Sequence, residues 1–285
     1  MKKNVPTALL AVLALWPAFA SAQAGVAGEL ADDSGADLPR WEAGFAGGGG
    51  RLPDYPGADQ SHWRGIVAPV LFYRGPILNV DRSGVRGRVF DTPRLQFELT
   101  ATAAFDAHSN EARAGMPDLD YLFGIGPQLV VKGLPGVPGA PALHLKLRAM
   151  YSTDFRRIDE HGATFIPELR WRARAPWPAR ATLALSLEPT WSSRGFARYF
   201  YEVTPAQATP TRPAYRARAG YLGTEVAANL TRRESRTLSW FVSGSALSLH
   251  GAANESSPLL RSRGNFTIGA GVIWTPWQSA ARAGD

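Results

Sequence analysis

Leu143 to Tyr151 reads LHLKLRAMY, and Phe165 to Arg174 reads FIPELRWRAR. In an extended strand successive side chains point to opposite faces. Leu143, Leu145, Leu147, Leu169 and Trp171 therefore share one face, and His144, Lys146, Arg148, Glu168, Arg170 and Arg172 share the other. Long charges in mid-strand are a poor lining for a soluble core. If the apolar face meets lipid, where a charge at mid-depth costs about 2 to 4 kcal/mol, the charged row must turn into the lumen of a barrel.

The same alternation recurs along the chain. In RLQFELTATA, Leu95, Phe97, Leu99 and Ala101 oppose Arg94, Gln96, Glu98 and Thr100; in TLALSLEPTW, Leu183, Leu185, Leu187 and Trp191 oppose Thr182, Ser186, Glu188 and Thr190. FTIGAGVIW sets Phe266, Ile268, Ala270, Val272 and Trp274 on one side. Segments of about ten residues suffice for a tilted strand to cross a bilayer. A β-sandwich with one wet face also alternates. Mid-strand charges, tryptophans and tyrosines near strand ends, and connections that alternate short with long favour an outer-membrane barrel instead. If the long connections share one side and both termini the other, the strand total is even. The fold expected is all-β: a closed antiparallel up-and-down transmembrane barrel. Its twelve strands lie near 41–52, 65–73, 76–81, 85–90, 94–105, 121–132, 141–153, 162–174, 181–191, 216–230, 237–250 and 263–277. Ten is the alternative, because the hairpin over 76–90 is the weakest pair.

The first residues, MKKNVPTALLAVLALWPAFASAQA, carry Lys2 and Lys3, an apolar run and the small residues Ala20, Ser21 and Ala22. This pattern predicts a cleaved secretory signal over 1–22, the run being too short, and interrupted by Pro17, for a spanning helix. A small, acidic lead-in over 23–40 precedes a barrel over 41–277, and residues 278–285 form a short tail. The chain has no cysteine, which excludes disulfides and thiolate metal sites. Its formal charge is +7, with 27 arginines spread along the strands rather than clustered. That distribution in an exported chain argues against nucleic acid as a partner and toward the lipid of the outer membrane and anionic envelope groups.

Little in the sequence points to catalysis. The run GFAGGGG at Gly44 to Gly50 lacks the following helix and lysine of a phosphate loop, and fits a strand bend or a close backbone approach. His62, His108, His144, His161 and His250 form no HExxH or other close ligand pair, so no metal site is expected. His108, Ser109 and Asn110 name the residue types of a lipase set, but neighbours in an extended chain point apart. Glu98, Glu168 and Glu188 could pair as glycosidase carboxylates, yet each has basic or hydroxyl neighbours and reads better as a salt-bridged lumen group. No catalytic, cofactor-binding or metal residue is assigned.

The stretch LPDYPGADQSHWRGIVAPVLFYRG, from Leu52 to Gly75, resembles the signature of the MltA-interacting protein family (MipA/OmpV). Pro53, Asp54, Tyr55, Pro56, Gly57, Ala58 and Asp59 supply its first part, and Pro69 and Tyr73 its second. GMPDLDYLFGIGPQLV, RYFYEVTPAQA and ANESSPLL, the last with Ser257 and Pro258, follow in the family's order. The resemblance implies a non-enzymatic outer-membrane barrel that serves as a scaffold for a murein lytic transglycosylase and a penicillin-binding protein in peptidoglycan remodelling. A channel for small anionic solutes, suggested by the arginine-rich inner row, and an envelope lipid hydrolase are the alternatives. One departure stands out: outer-membrane barrels commonly end on an aromatic residue, whereas QSAARAGD follows Trp277 here. Sequence leaves open whether the lumen is open or filled by its own side chains.

Overall fold

The computed structural model describes residues 38–81, 84–104, 106, 110–137, 139–178 and 181–284; the expected signal peptide and most of the lead-in lie outside them. Twelve antiparallel strands run in chain order around a closed barrel: β1 (Trp41–Pro53), β2 (Ser61–Arg74), β3 (Leu78–Asp81), β4 (Gly84–Asp91), β5 (Leu95–Ala104), β6 (Tyr121–Val131), β7 (Ala142–Thr153), β8 (Ile158–Arg174), β9 (Ala181–Ser192), β10 (Gly220–Arg233), β11 (Leu238–Ser248) and β12 (Gly264–Gln278). The expected count of twelve is met. Boundaries shift where alternation fades: β2 begins four residues before the expected 65 and β10 four residues after the expected 216.

Each strand pairs with its sequence neighbours, and β1 closes the cylinder on β12. Gly44 and Gly50 bring the β1 backbone against β12, since a Cβ at either would lie 1.9 Å from the Trp274 carbonyl oxygen or 2.3 Å from that of Ile268. The ladder shifts register between Ala43 and Phe45 at the same place, as a bend in a closing strand requires. The glycine run is thus a packing device.

Alternation sorts the side chains by face. Leu99, Ile125, Leu147, Leu185, Leu187, Val226, Val242, Ile268 and Val272 form an exposed apolar belt. Aromatic side chains border it on both sides: Trp41, Phe45, Phe90, Trp274 and Trp277 toward one end, and Trp63, Phe165, Trp191 and Phe266 toward the other. An apolar band between two aromatic girdles is the exterior of a membrane barrel. The first and last described residues share one end with the brief connections at 75–77, 92–94, 175–178 and 234–237, the turn end; residues 54–60, 106, 110–120, 193–219 and 249–263 gather at the other, the loop end.

At the turn end β12 runs to Gln278, with Trp277 on the outward face edge-on to Phe45 at 6.1 Å between ring centroids. The residues beyond it remain tied to the barrel: the Ser279 N–H donates to the Trp41 carbonyl and the Ala283 N–H to the Leu38 carbonyl, at 3.0 and 2.8 Å.

The long connection after β9 contains an element that strand periodicity does not signal, helix α1 (Arg194–Tyr201). Ser193 caps it, its hydroxyl accepting from the Phe196 N–H at 3.5 Å, and Phe196, Ala197, Phe200 and Tyr201 are buried. α1 packs on β8 and β9 and carries the aromatic core of the loop end.

Candidate functional site

The lumen has two storeys. Across the middle of the barrel the inward charges pair with one another. Glu168 receives Lys146 from β7 and, on its own strand, Arg170, whose Nη2 lies 2.6 Å away. Lys146 also reaches Glu188 of β9 at 3.3 Å, and Glu188 accepts from the Ser186 hydroxyl at 2.9 Å. Beside them Glu98 takes Gln96, Gln128 at 3.4 Å and Arg86 at 3.8 Å, and Gln128 meets the His144 Nδ1 at 3.3 Å. Toward the turn end, Glu42 of β1 holds Arg74 of β2 at 3.4 Å and Arg233 of β10 at 2.9 Å, which ties three strands together.

Burial shows how tightly this layer is filled. Glu168 is 0% exposed, Glu98 and His144 1%, Lys146 4% and Arg170 6%. Side chains along a water-filled bore keep contact with water, and these do not. Arg148 is also buried and lies in the field of Glu188 and Glu168, whereas Arg172 sits farther toward the turn end, level with Ala184.

Above this floor lies a cavity of about 240 Å³. Lys146, Arg148, Glu188 and Glu225 form its base; Leu52, Leu119, Leu122, Met150, Phe200 and Leu222 line its upper part. Its roof is the packed loop end, and the residues of the signature loop hold that roof together. The Asp54 carboxylate, fully buried, gathers Arg64 at 2.9 Å, His62 at 2.7 Å and the Asn110 amide at 2.8 Å, tying three segments to one group. The Tyr55 hydroxyl donates to the Leu259 carbonyl at 2.8 Å, and its ring stacks on Phe200 at 6.4 Å. Pro53 ends β1, and the Pro56 carbonyl accepts from Tyr201 at 2.9 Å. Gly57 has φ of +92°, gives its N–H to Asn265 at 2.6 Å, and accepts from the N–H groups of Arg261 and Ser262. Asp59 faces Arg261 at 3.7 Å, and Ser257, followed by the half-buried Pro258, donates to the Tyr201 carbonyl at 2.8 Å.

Burial sets the electrostatics of this roof. It pushes the Tyr55 hydroxyl up to about 12, helped by Asp59 and Asp54 and opposed by Arg113, and it raises Tyr199 and Tyr201 as well. The same burial lowers Arg113, whose guanidinium lies 6.0 Å from the Tyr55 ring centre and donates to the Phe200 carbonyl.

The chemistry weighed from sequence finds these surroundings. His108 and Ser109 lie outside the described residues; Asn110 caps a short 3-10 turn and binds Asp54. A serine and a histidine that spacing did not bring together, Ser152 and His161, share a 2.8 Å hydrogen bond, but Ser152 is buried and the His161 ring packs on Tyr199. No group of three or more metal-ligating side chains occurs among the described residues.

A NanC porin is 8% identical over 81% of this chain and 100% of its own, with a TM-score of 0.38. A Pseudomonas aeruginosa FadL homologue is 9% identical over 91% and 98%, with a TM-score of 0.31, and at such overlap neither likeness bears on what this chain binds. No curated protein matches. The profile of the family described as MltA-interacting protein MipA matches residues 45–276, from the first strand through the last and across every connection that builds the roof. This outer-membrane-type barrel therefore belongs to the MltA-interacting protein MipA family.

Proposed function

We propose that the chain is a non-catalytic outer-membrane protein that works as a scaffold, its turn end toward the periplasm and docking a murein lytic transglycosylase and, through the same assembly, a penicillin-binding protein. The observation that carries this reading is the filled lumen: the buried ion-pair layer leaves the exterior of the barrel as its working surface. The description of the family, an MltA-interacting protein, supplies the class of partner. Short turns are periplasmic in outer-membrane barrels, and here they expose Arg94, Arg174 and Arg236 near the termini.

The test is capture from solution onto the full-length barrel in lipid nanodiscs, using a purified lytic transglycosylase and then a penicillin-binding protein. The transglycosylase is expected to be retained, the second enzyme to be recruited in its presence, and Arg94→Glu with Arg174→Glu and Arg236→Glu to weaken both. Nanodiscs that retain neither enzyme overturn the scaffold. The channel for small anionic solutes finds less support, since Arg170 is buried against Glu168 and Arg148 is buried in the field of Glu188 and Glu168.

A further inference from the structure

The base of the cavity carries two opposite charges that the ion-pair layer leaves unmatched. Arg148 of β7 is 7% exposed and lines the cavity. It makes no ion pair among the described residues, and its Nε has no hydrogen-bond partner. Thr164 of β8, opposite it in the ladder, lines the same space at 4% exposure, and its hydroxyl also lacks a partner. The carboxylates in whose field Arg148 stands are engaged elsewhere: Glu168 with Lys146 and Arg170, Glu188 with Lys146 and Ser186.

Glu225 of β10 is the converse case. It lines the cavity directly across the ladder from Glu188, with the Ser245 hydroxyl beside it, and makes no ion pair among the described residues. The cation in whose field it stands, Lys146, is bound to Glu168 and Glu188. In their ionised forms Lys146 and Arg148 balance Glu188 and Glu225, yet one guanidinium and one carboxylate of this set have no counter-ion in contact. A buried charge is costly unless it is paired. A ligand of net charge would unbalance the set, whereas one that bears both signs completes it. These groups all stand on β7 to β11, every residue of which is described.

We infer that the cavity binds a small zwitterion, a free α-amino acid with a large apolar side chain. Its carboxylate meets the Arg148 guanidinium, whose fork suits two parallel hydrogen bonds, and the Thr164 hydroxyl. Its ammonium lies between Glu188 and Glu225 and relieves the repulsion of two carboxylates set side by side. Its side chain points up among Leu122, Met150, Phe200 and Leu222. A volume of about 240 Å³ is roughly eight water volumes, room for such a molecule and too little for a phospholipid. The ion-paired layer beneath closes the bore, so the cavity is a pocket and not a passage. The inference is independent of the scaffold, which concerns the exterior at the turn end.

Isothermal titration calorimetry tests it on the full chain in nanodiscs, with L-phenylalanine as the ligand and empty nanodiscs as the blank. Two analogues are titrated beside it: 3-phenylpropionate, which lacks the ammonium, and 2-phenylethylamine, which lacks the carboxylate. Saturable binding of L-phenylalanine is expected, with each analogue roughly thirtyfold or more weaker, because each leaves one buried charge unpaired. Arg148→Met removes a buried charge that has no counter-ion in contact, so the variant is expected to fold and to lose L-phenylalanine binding. Glu225→Gln is expected to abolish the preference for L-phenylalanine over 3-phenylpropionate. Heat-modifiable migration on a gel reports that each variant is folded, and the comparison of analogues, made on the wild type, decides the matter without them. A wild type that does not bind L-phenylalanine, or binds either analogue equally well, overturns the proposal, as does binding unchanged in either folded variant.

Discussion

Asp54 illustrates how much one side chain can organise. Its two oxygens gather Arg64, His62 and Asn110, so the carboxylate joins the end of β1, the start of β2 and the connection after β5. Gly57, three residues on, acts through its lack of a side chain: a Cβ there would lie 2.8 Å from Leu260 Cγ, with φ at +92°. Gly57→Ala is expected to loosen the roof by about 1 to 3 kcal/mol of backbone strain. Limited proteolysis should then cut within 54–60 and 249–263 while the barrel keeps its heat-modifiable migration on a gel. Glu168 governs the floor. Glu168→Gln leaves Lys146 and Arg170 short of a buried carboxylate, and breaking such a pair costs about 3 to 5 kcal/mol. Urea unfolding in detergent micelles checks this, and the double variant with Lys146→Met is expected to regain part of the loss.

At the scale of elements, α1 is the piece that sequence periodicity did not disclose. RGFARYFY is eight residues long, two turns, and its aromatic residues suit a strand as well as a helix. What fixes it is tertiary: the Phe200 ring stacks on Tyr55 at 6.4 Å, and the Tyr201 hydroxyl reaches the Pro56 carbonyl on another connection. Alternation assigns each inward residue its face but says nothing of partners. Asp54 was legible as part of a signature, and its three partners were not, because two of them arrive from β2 and one from beyond β5.

The roof also has a pH response of definite sign. An unfolded tyrosine ionises near 10, and burial holds the Tyr55 hydroxyl neutral up to about 12. The stability it contributes is complete below about 10 and is lost as pH rises through about 12. Near-ultraviolet absorbance of tyrosinate should show a late-ionising set that coincides with new protease cuts at the loop end. Tyr55→Phe should shift that opening and, by leaving the Leu259 carbonyl without its donor, weaken the roof at neutral pH by about 1 to 3 kcal/mol.

For the molecule as a whole, the strand count and the membrane-facing rows were readable because lipid enforces a strict rule of two on one face of every strand. Connection lengths then supplied the parity. The short reach of β3 was not readable: nothing in GPILNVDRSGVRGRVF tells how far a hairpin climbs its neighbours, a matter of register with β2 and β5. The filled middle layer predicts a silent barrel. Planar-bilayer recordings of the folded wild type are expected to show no steady conductance, and steps of open current would reveal a bore that the ion-paired floor does not block.

Considered as a ring under tension, the barrel has an uneven hoop. The joint between the chain ends, where β1 meets β12, is stitched by nine residue pairs. Among the described residues, the joint between β2 and β3 is stitched by two. Lateral stress from the bilayer would therefore tear this ring about one hairpin away from its natural ends, with most of its circumference intact as a single curved ribbon. A disulfide clasp from β2 to β3, in a chain that offers no competing thiol, should raise the unfolding temperature more than the same clasp set between β1 and β12.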